Sequence, residues 1–378
     1  METLSEIGWV LLTSPLLWLT IIMAIGLARY RVRAERRVFR MAINPRWSEV
    51  RYFIGHGLLA GLGISCVTLL LGVAVNLEWW LVYQIIAIIA LMGISHRLNA
   101  TTILLVSAVV YWGLPLIWPQ YQSADTNQLL AELLIVIGLV AFATGWLQRK
   151  DAGKLTTPNV IESQRGRLTA IFTSRQVYLA PVFFLVPGTL NLPDWTFWPV
   201  LHIGQTTYSI VILPLLLGFS FKAVQVLMSV LVQRSVKRQI QLGVLSLILG
   251  LISVVVPQFA IWAVMIALLG GFVLQWRLGK LKAGEKRLYF TKPYQGVRVL
   301  GVQTATPAAK MQLTVGDVIV ECNGLPVSNN ENFYQAIQSQ PTYCHLKVQD
   351  LQGEYRITES AVFADAPHEL GVILFPEN

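Results

Sequence analysis

Long apolar runs separated by short polar turns fill roughly the first three-quarters of the chain, and short alternating runs fill the remainder. A helix crossing a bilayer needs about 20 mostly apolar residues, because lipid offers an exposed backbone no hydrogen-bonding partner. The runs 7–28, 57–76, 79–95, 100–118 and 129–147 meet that need. Two more, 177–190 and about 203–232, also read as spans, the first short and interrupted by Pro181 and Pro187. Residues 242–256 and 258–276 read as a helical hairpin broken at Pro257, which has no N–H to continue a helix. The pattern predicts a membrane domain over 1–276 with about nine helical spans, or eight if 177–190 is re-entrant. The first run reads as a retained span and not a cleavable signal, since acidic residues precede it and no small-residue cleavage site comes before the arginines that follow.

Composition agrees with this pattern. Of 378 residues, 54% are hydrophobic and only 13% charged, against about 25% charged in ordinary soluble domains. That excludes a disordered chain and argues against a wholly soluble enzyme. Residues 1–287 hold 24 of the 29 basic and 11 of the 20 acidic side chains, so they carry +13 while the tail carries −4. Lys and Arg stay on the cytoplasmic side of short loops. Nine crossings with the N-terminus outside put every basic residue inside, and the outer connections 76–78, 119–128 and 191–199 contain no Lys or Arg. Trp79, Trp80, Trp118, Trp195 and Trp198 then read as an outer aromatic belt, with Trp47, Trp146 and Trp276 at inner ends.

Past Trp276 a basic linker, 277–289, carries Arg277, Lys280, Lys282, Lys286 and Arg287. From there the text reads as a small α+β domain over 290–378. Strands are predicted at 296–302, 315–321, 345–349, 355–358 and 372–375, with a turn at Asn323-Gly324. Ser328 and Glu331 resemble a capping box ahead of a helix carrying Phe333, Tyr334, Ala336 and Ile337.

The order Gly296-Val297, Thr306-Pro307-Ala308, Gly316-Asp317-Val318-Ile319, Asn323-Gly324, Phe333, Ile337 resembles a bacterial PDZ domain, and Glu369-Leu370-Gly371-Val372-Ile373 resembles the carboxylate-binding turn that comes last in circularly permuted versions. The resemblance implies a cytoplasmic domain that binds an extended peptide or C-terminus by strand addition. Its groove would lie between 371–375 and the helix from Asn330 to Ile337, with Asn330, Phe333 and Ile337 facing the ligand. Phe333 and Ile337 also read as ordinary core.

A polytopic bundle ending in one such domain resembles the MinJ family of Gram-positive bacteria, through the arginine-rich stretch after the first span, the basic collar and the terminal Glu369-Leu370-Gly371-Val372. The family implies a non-enzymatic scaffold at septum and poles, linking a DivIVA-like polar protein to a MinD-like one. Arg29, Arg31, Arg33, Arg36, Arg37 and Arg40 read either as topology anchors on anionic lipid or as a docking surface for an acidic partner.

The rival class is a transporter or membrane enzyme regulated by its PDZ domain. A membrane metalloprotease needs HExxH, and among His56, His96, His202, His345 and His368 only His368 precedes a Glu, with no second His four residues on. No nucleotide loop or Cys/His metal spacing occurs, so no cofactor is expected. Glu132 and Lys222 are the ionisable groups inside predicted spans, and both read as structural anchors near the interfaces. Net basicity is accounted for by lipid, so no nucleic-acid partner is expected.

Overall fold

The computed structural model describes residues 11–39, 42–45, 47–94, 99–119, 125–162, 168–187, 201–203, 206–224, 226–284, 290–303, 306–361 and 370–376. Among the described residues, six helices are long and apolar enough to cross a membrane. They are α1 (Pro15–Phe39), α2 (Ser48–Leu71), α4 (Ala100–Ile117), α5 (Thr126–Asp151), α6 (Met228–Val255) and α7 (Ala260–Gly284), the last preceded by a single turn, Pro257–Phe259. A shorter apolar helix, α3 (Leu77–Ile89), continues into a π turn, Ala90–Ile94. Local chemistry sets several boundaries. Pro15 opens α1, where a missing N–H costs nothing. Gly72 closes α2 at φ +69°, its N–H reaching back to Leu69.

Two of the nine expected helical spans are strands. β2 (Leu168–Pro187) and β4 (Thr206–Ala223) pair antiparallel from Phe172↔Ala223 to Pro187↔Tyr208, within a sheet ordered β1 (Thr157–Glu162), β2, β4, β3 (Leu201–Ile203). Hydropathy alone reads such runs as spans, but a strand needs only about 9–11 residues to cross the hydrocarbon layer. The register from Val177↔Gly218 to Leu185↔Ile210 supplies that length with almost wholly apolar side chains. Val177, Val182, Phe183, Phe184 and Val186 are β-formers, and Pro181 with Pro187 bars a helix there.

An open sheet edge is not tolerated against lipid, and α2 covers this one. It runs parallel to β2, placing Gly57 over Leu179, Gly61 over Pro181, and Ser65 and Thr68 against Phe183. A Cβ at Gly57 would lie 2.6 Å from the Leu179 carbonyl oxygen, and one at Gly61 2.5 Å from that of Pro181. Ser65 Oγ accepts from the Phe183 N–H at 3.0 Å, and Thr68 Oγ1 donates to the Phe183 carbonyl at 2.9 Å. Farther along, Val75 N–H donates to Leu185 O and Leu185 N–H to Val73 O. Pro181 faces Pro214 across the ladder, so neither strand has an outward N–H at that level. On the far edge, the Leu216 N–H donates to the Tyr83 hydroxyl at 2.9 Å.

Helices α5 and α6 pack antiparallel around small residues, with Gly145 beside Gln239, Gly138 beside Gly243 and Gly250 beside Ile135. Glu132 sits at the turn joining α2 to α3, accepting from the Ala74 N–H at 2.6 Å and from Gln128. Trp79 and Trp80 do not join an outer belt: both are buried, packed with Tyr83, and Trp79 donates to Ser107.

The C-terminal sheet runs β10 (Val372–Leu374), β5 (Val297–Val302), β6 (Val318–Cys322), β8 (Tyr343–Gln349), β9 (Tyr355–Ala361), with β7 (Leu325–Pro326) paired to β6. The last strand thus lies beside the first. Two helices complete the domain, α8 (Pro307–Lys310) and α9 (Asn330–Gln338). The cap of α9 is Asn329, whose Oδ1 accepts from the Asn332 N–H at 2.7 Å, one residue after the expected Ser328. Asn323 and Gly324, both at positive φ, reverse the chain as the sequence predicts.

Candidate peptide-binding site

The expected groove falls at the edge strand β10 and helix α9. Leu370 and Gly371 lead into the strand, Gly371 at φ +80°. A Cβ there would meet the Thr306 side chain at 2.4 Å, so both conformation and space demand glycine. The Leu370 carbonyl accepts from the Ala308 N–H at 3.1 Å, and the Gly371 carbonyl from the Gln303 N–H at 2.8 Å. In a trans peptide unit N–H and C=O point in opposite directions. The N–H groups of Gly371 and Val372 therefore turn away from β5 and α8, toward the outer side of β10. Consecutive N–H groups aimed the same way suit a carboxylate or a peptide carbonyl. At the other end of the strand, Asn330 Nδ2 donates to the Phe375 carbonyl at 3.0 Å, which fixes the start of α9 against the end of β10. Among the described residues no strand pairs with the outer edge of β10.

The expected groove residues fall into three groups. Leu370, Gly371, Val372 and Asn330 frame the edge. Ile337 is half-buried beside the domain core, while Phe333 is 2% exposed and belongs to that core. Ile373 points away from α9: with Ile43 it packs around Gly301, in one cluster with Leu300 and Phe375. Glu369 lies outside the described residues. Two further residues complete the frame: Thr306, which the sequence offers only as a helix start and which lies against Gly371, and Gln303, which sequence reasoning passed over.

Gln303 also joins the domain to the membrane part, its Nε2 donating to the Ala42 carbonyl at 2.7 Å. A second junction is made by Phe290, whose carbonyl accepts from the Ala170 N–H and whose ring meets Phe172 edge-on at 4.6 Å. The groove is therefore seated on the connection between α1 and α2 and on the base of β2.

That connection is organised by Arg31. Its guanidinium bonds Glu49 and, at 3.0 Å, Glu35, and it reaches the carbonyls of Asn44 and Pro45. All three charged side chains are buried. Glu35 also accepts from the Ile43 N–H at 2.8 Å, while the Glu49 carbonyl accepts from Gln176. Arg31 is accordingly an internal tie and not part of a lipid or partner surface. Arg29, Arg33, Arg36 and Arg37 are exposed on the same helix, and Arg40 lies outside the described residues.

Two other polar groupings bear on chemistry. Asp151, buried, accepts from the Tyr178 hydroxyl at 2.8 Å and lies 2.6 Å from His56 Nδ1, tying α5, β2 and α2 together. On adjacent strands, Cys322 and Cys344 are buried free thiols, and the hydrogen bond that Cys344 makes to Cys322 together with burial pushes the Cys344 thiol upward. Among the described residues no group of His, Cys, Asp and Glu is placed to hold a metal ion.

A family model described as a PDZ domain matches residues 280–349, ending before β9 and β10. Over 373 residues the chain is 31% identical to the probable cell division topological determinant MinJ of Lacticaseibacillus paracasei, covering 95% of each. It is 27% identical over 373 residues to the cell division topological determinant MinJ of Bacillus subtilis (strain 168), covering 96% of this chain and 93% of that one.

Proposed function

We propose, because the chain belongs to the MinJ family of cell division topological determinants, that it is a non-enzymatic membrane adaptor in division-site selection. Its PDZ groove captures an extended segment of a cytoplasmic division protein, and its basic inner rim adds a second contact. A DivIVA-like polar protein and a MinD-like protein are the partners the family resemblance implies. The observation that carries this reading is the outer edge of β10, flanked by α9 and entered through the Gly371 turn, on a domain seated against the membrane part by Gln303 and Ala42.

The orientation has its own support. Among the described residues, helices α1 to α7 with β2 and β4 counted as crossings make nine passes, so an external N-terminus brings the groove to the cytoplasm. Arg31, Arg175 and Lys222, from three of the predicted inner ends, line a single cavity. That convergence is what the positive-inside rule demands.

Fluorescence microscopy of a tagged chain tests the reading. Enrichment at septa and poles, with loss of partner enrichment when Gly371 is replaced by Val, is the expected result. A uniform membrane signal, or partner enrichment indifferent to that substitution, overturns it.

A further inference from the structure

An apolar groove of about 490 Å³ runs between α2 and α5, with Leu59, Ala60 and Gly63 on one wall, Leu139, Phe142 and Ala143 on the other, and Trp146 toward the basic end of α5. Both helices are long and apolar enough to cross the membrane, so the groove lies at hydrocarbon depth. Gly63 leaves its middle open: a Cβ there meets nothing within 4 Å, in contrast to Gly57 and Gly61 on the β2 side of the same helix. Lipid tails are as apolar as leucine, so what fills such a groove is held by close packing, which an empty groove forfeits. Seven residues of α5 separate Trp146 from Leu139, a depth of about 10 Å. A helix about 10–12 Å across would take about 800 Å³ or more over that depth. The groove is too small to seat a helix and wide enough for an acyl chain.

Trp146 joins this groove to a polar end. His56 meets its ring edge-on at 5.9 Å, Tyr52 stacks on His56 at 5.0 Å, and Lys150 Nζ lies 4.6 Å from the Trp146 ring centre. The acids on these two helix ends are engaged inside the protein, Asp151 with Tyr178 and His56, and Glu49 with Arg31. Both are buried, whereas Arg51 and Arg149 are exposed and Lys150 is half-buried. Even with His56 neutral, Arg51, Arg149 and Lys150 (+3) outweigh Asp151 (−1) and the Arg31, Glu35, Glu49 group (−1). A positive rim above an apolar groove describes an anionic amphiphile, and Lys150, one helical turn beyond Trp146, is the cation on the groove's own line.

The geometry points to a binding site for one anionic phospholipid, an acyl chain in the groove between α2 and α5 and its phosphate beside Lys150. The site is separate from the peptide edge and from the exposed arginines of α1, and it adjoins the His56 and Asp151 contact that ties α2 to α5.

Native mass spectrometry of the full chain in detergent tests this, with phosphatidylglycerol, phosphatidylcholine and glycerol phosphate as separate probes. One phosphatidylglycerol retained per chain, phosphatidylcholine held about fivefold less through the single lysine contact, and no glycerol phosphate are expected. Gly63→Leu fills the groove without a clash and lowers retention about tenfold, the loss of about ten carbon contacts. Gly26→Leu, at an equally open glycine of α1, leaves retention unchanged. Lys150→Gln removes the preference between the two lipids and keeps the test open should Gly63→Leu fail to fold. A phosphatidylglycerol with a diazirine at mid-chain places its adducts on 59–63 and 139–146. Adducts spread evenly over all the long helices, or full retention of the preference by Gly63→Leu and Lys150→Gln alike, overturn the site. Glycerol phosphate held as well as the lipid overturns it in favour of a free anion, and a chain dimer lost in Gly63→Leu but indifferent to lipid overturns it in favour of a second copy.

Discussion

Phe183 gives both of its outward backbone groups to α2, its N–H to the hydroxyl of Ser65 and its carbonyl to that of Thr68. This exchange shows how a long hairpin is accommodated among helices. Backbone groups that would otherwise face lipid are satisfied by side chains or approached closely by glycine. Removing the partners should therefore cost more than a surface hydroxyl would. Ser65→Ala with Thr68→Val is expected to destabilise the membrane part by about 1–2 kcal/mol, read as a lower midpoint in detergent unfolding.

The glycines on the same face make a sharper test. At Gly57 and Gly61 a Cβ would press on backbone oxygens of β2, which cannot move aside as a side-chain end can. Gly57→Leu or Gly61→Leu should cost about 1–3 kcal/mol or more. Gly63→Leu, at a position with nothing within 4 Å, should be neutral. Equal behaviour of the three variants would remove the sheathing account.

Arginines on α1 divide by burial. Arg31→Gln leaves Glu35 and Glu49 buried without their shared cation, and a broken buried pair typically costs about 3–5 kcal/mol. Loss of the folded chain, measured by size-exclusion in detergent, is the expected outcome. Arg33→Gln, Arg36→Gln and Arg37→Gln together should leave folding and insertion intact while weakening partner localisation, since those side chains are exposed.

Gly371→Val brings a branched side chain against Thr306 at a φ that favours glycine. Peptide capture should be lost while the membrane part keeps its unfolding midpoint. Thr306→Ala alone relieves no clash in the parent and should bind nearly as the parent does. It keeps the Cβ that a new Cβ at 371 would meet at 2.4 Å, so combined with Gly371→Ala it should recover no binding, whereas Thr306→Gly with Gly371→Ala should recover part of it. Hydrogen exchange at β10 and peptide binding by the full chain read both effects.

Legibility of these features in the sequence followed the range of the signals. The C-terminal domain was readable because Thr306-Pro307, Gly316-Asp317 and Asn323-Gly324 fix turns within a few residues of themselves. The hairpin was not, because apolar content is common to a buried strand and a spanning helix, and only Pro181, Pro187 and the β-branched and aromatic run around them distinguish the two. Phe333 and Ile337 share a helical face, and which of them meets the core depends on the tilt of α9, set by contacts distant in sequence such as Asn330 with Phe375. Arg31 looked like its exposed neighbours because Glu49, which buries it, lies eighteen positions away across a turn.

The most direct measurement of the adaptor role is photocrosslinking in living cells from a reactive residue at Ile337, half-buried beside the groove, with the same residue at Phe333 as the buried control. The account predicts that Ile337 traps a cytoplasmic division protein, that Phe333 does not, and that Gly371→Val abolishes the adduct. Adducts confined to this chain's own segments or to lipid, or a division-protein adduct unaffected by Gly371→Val, would contradict it.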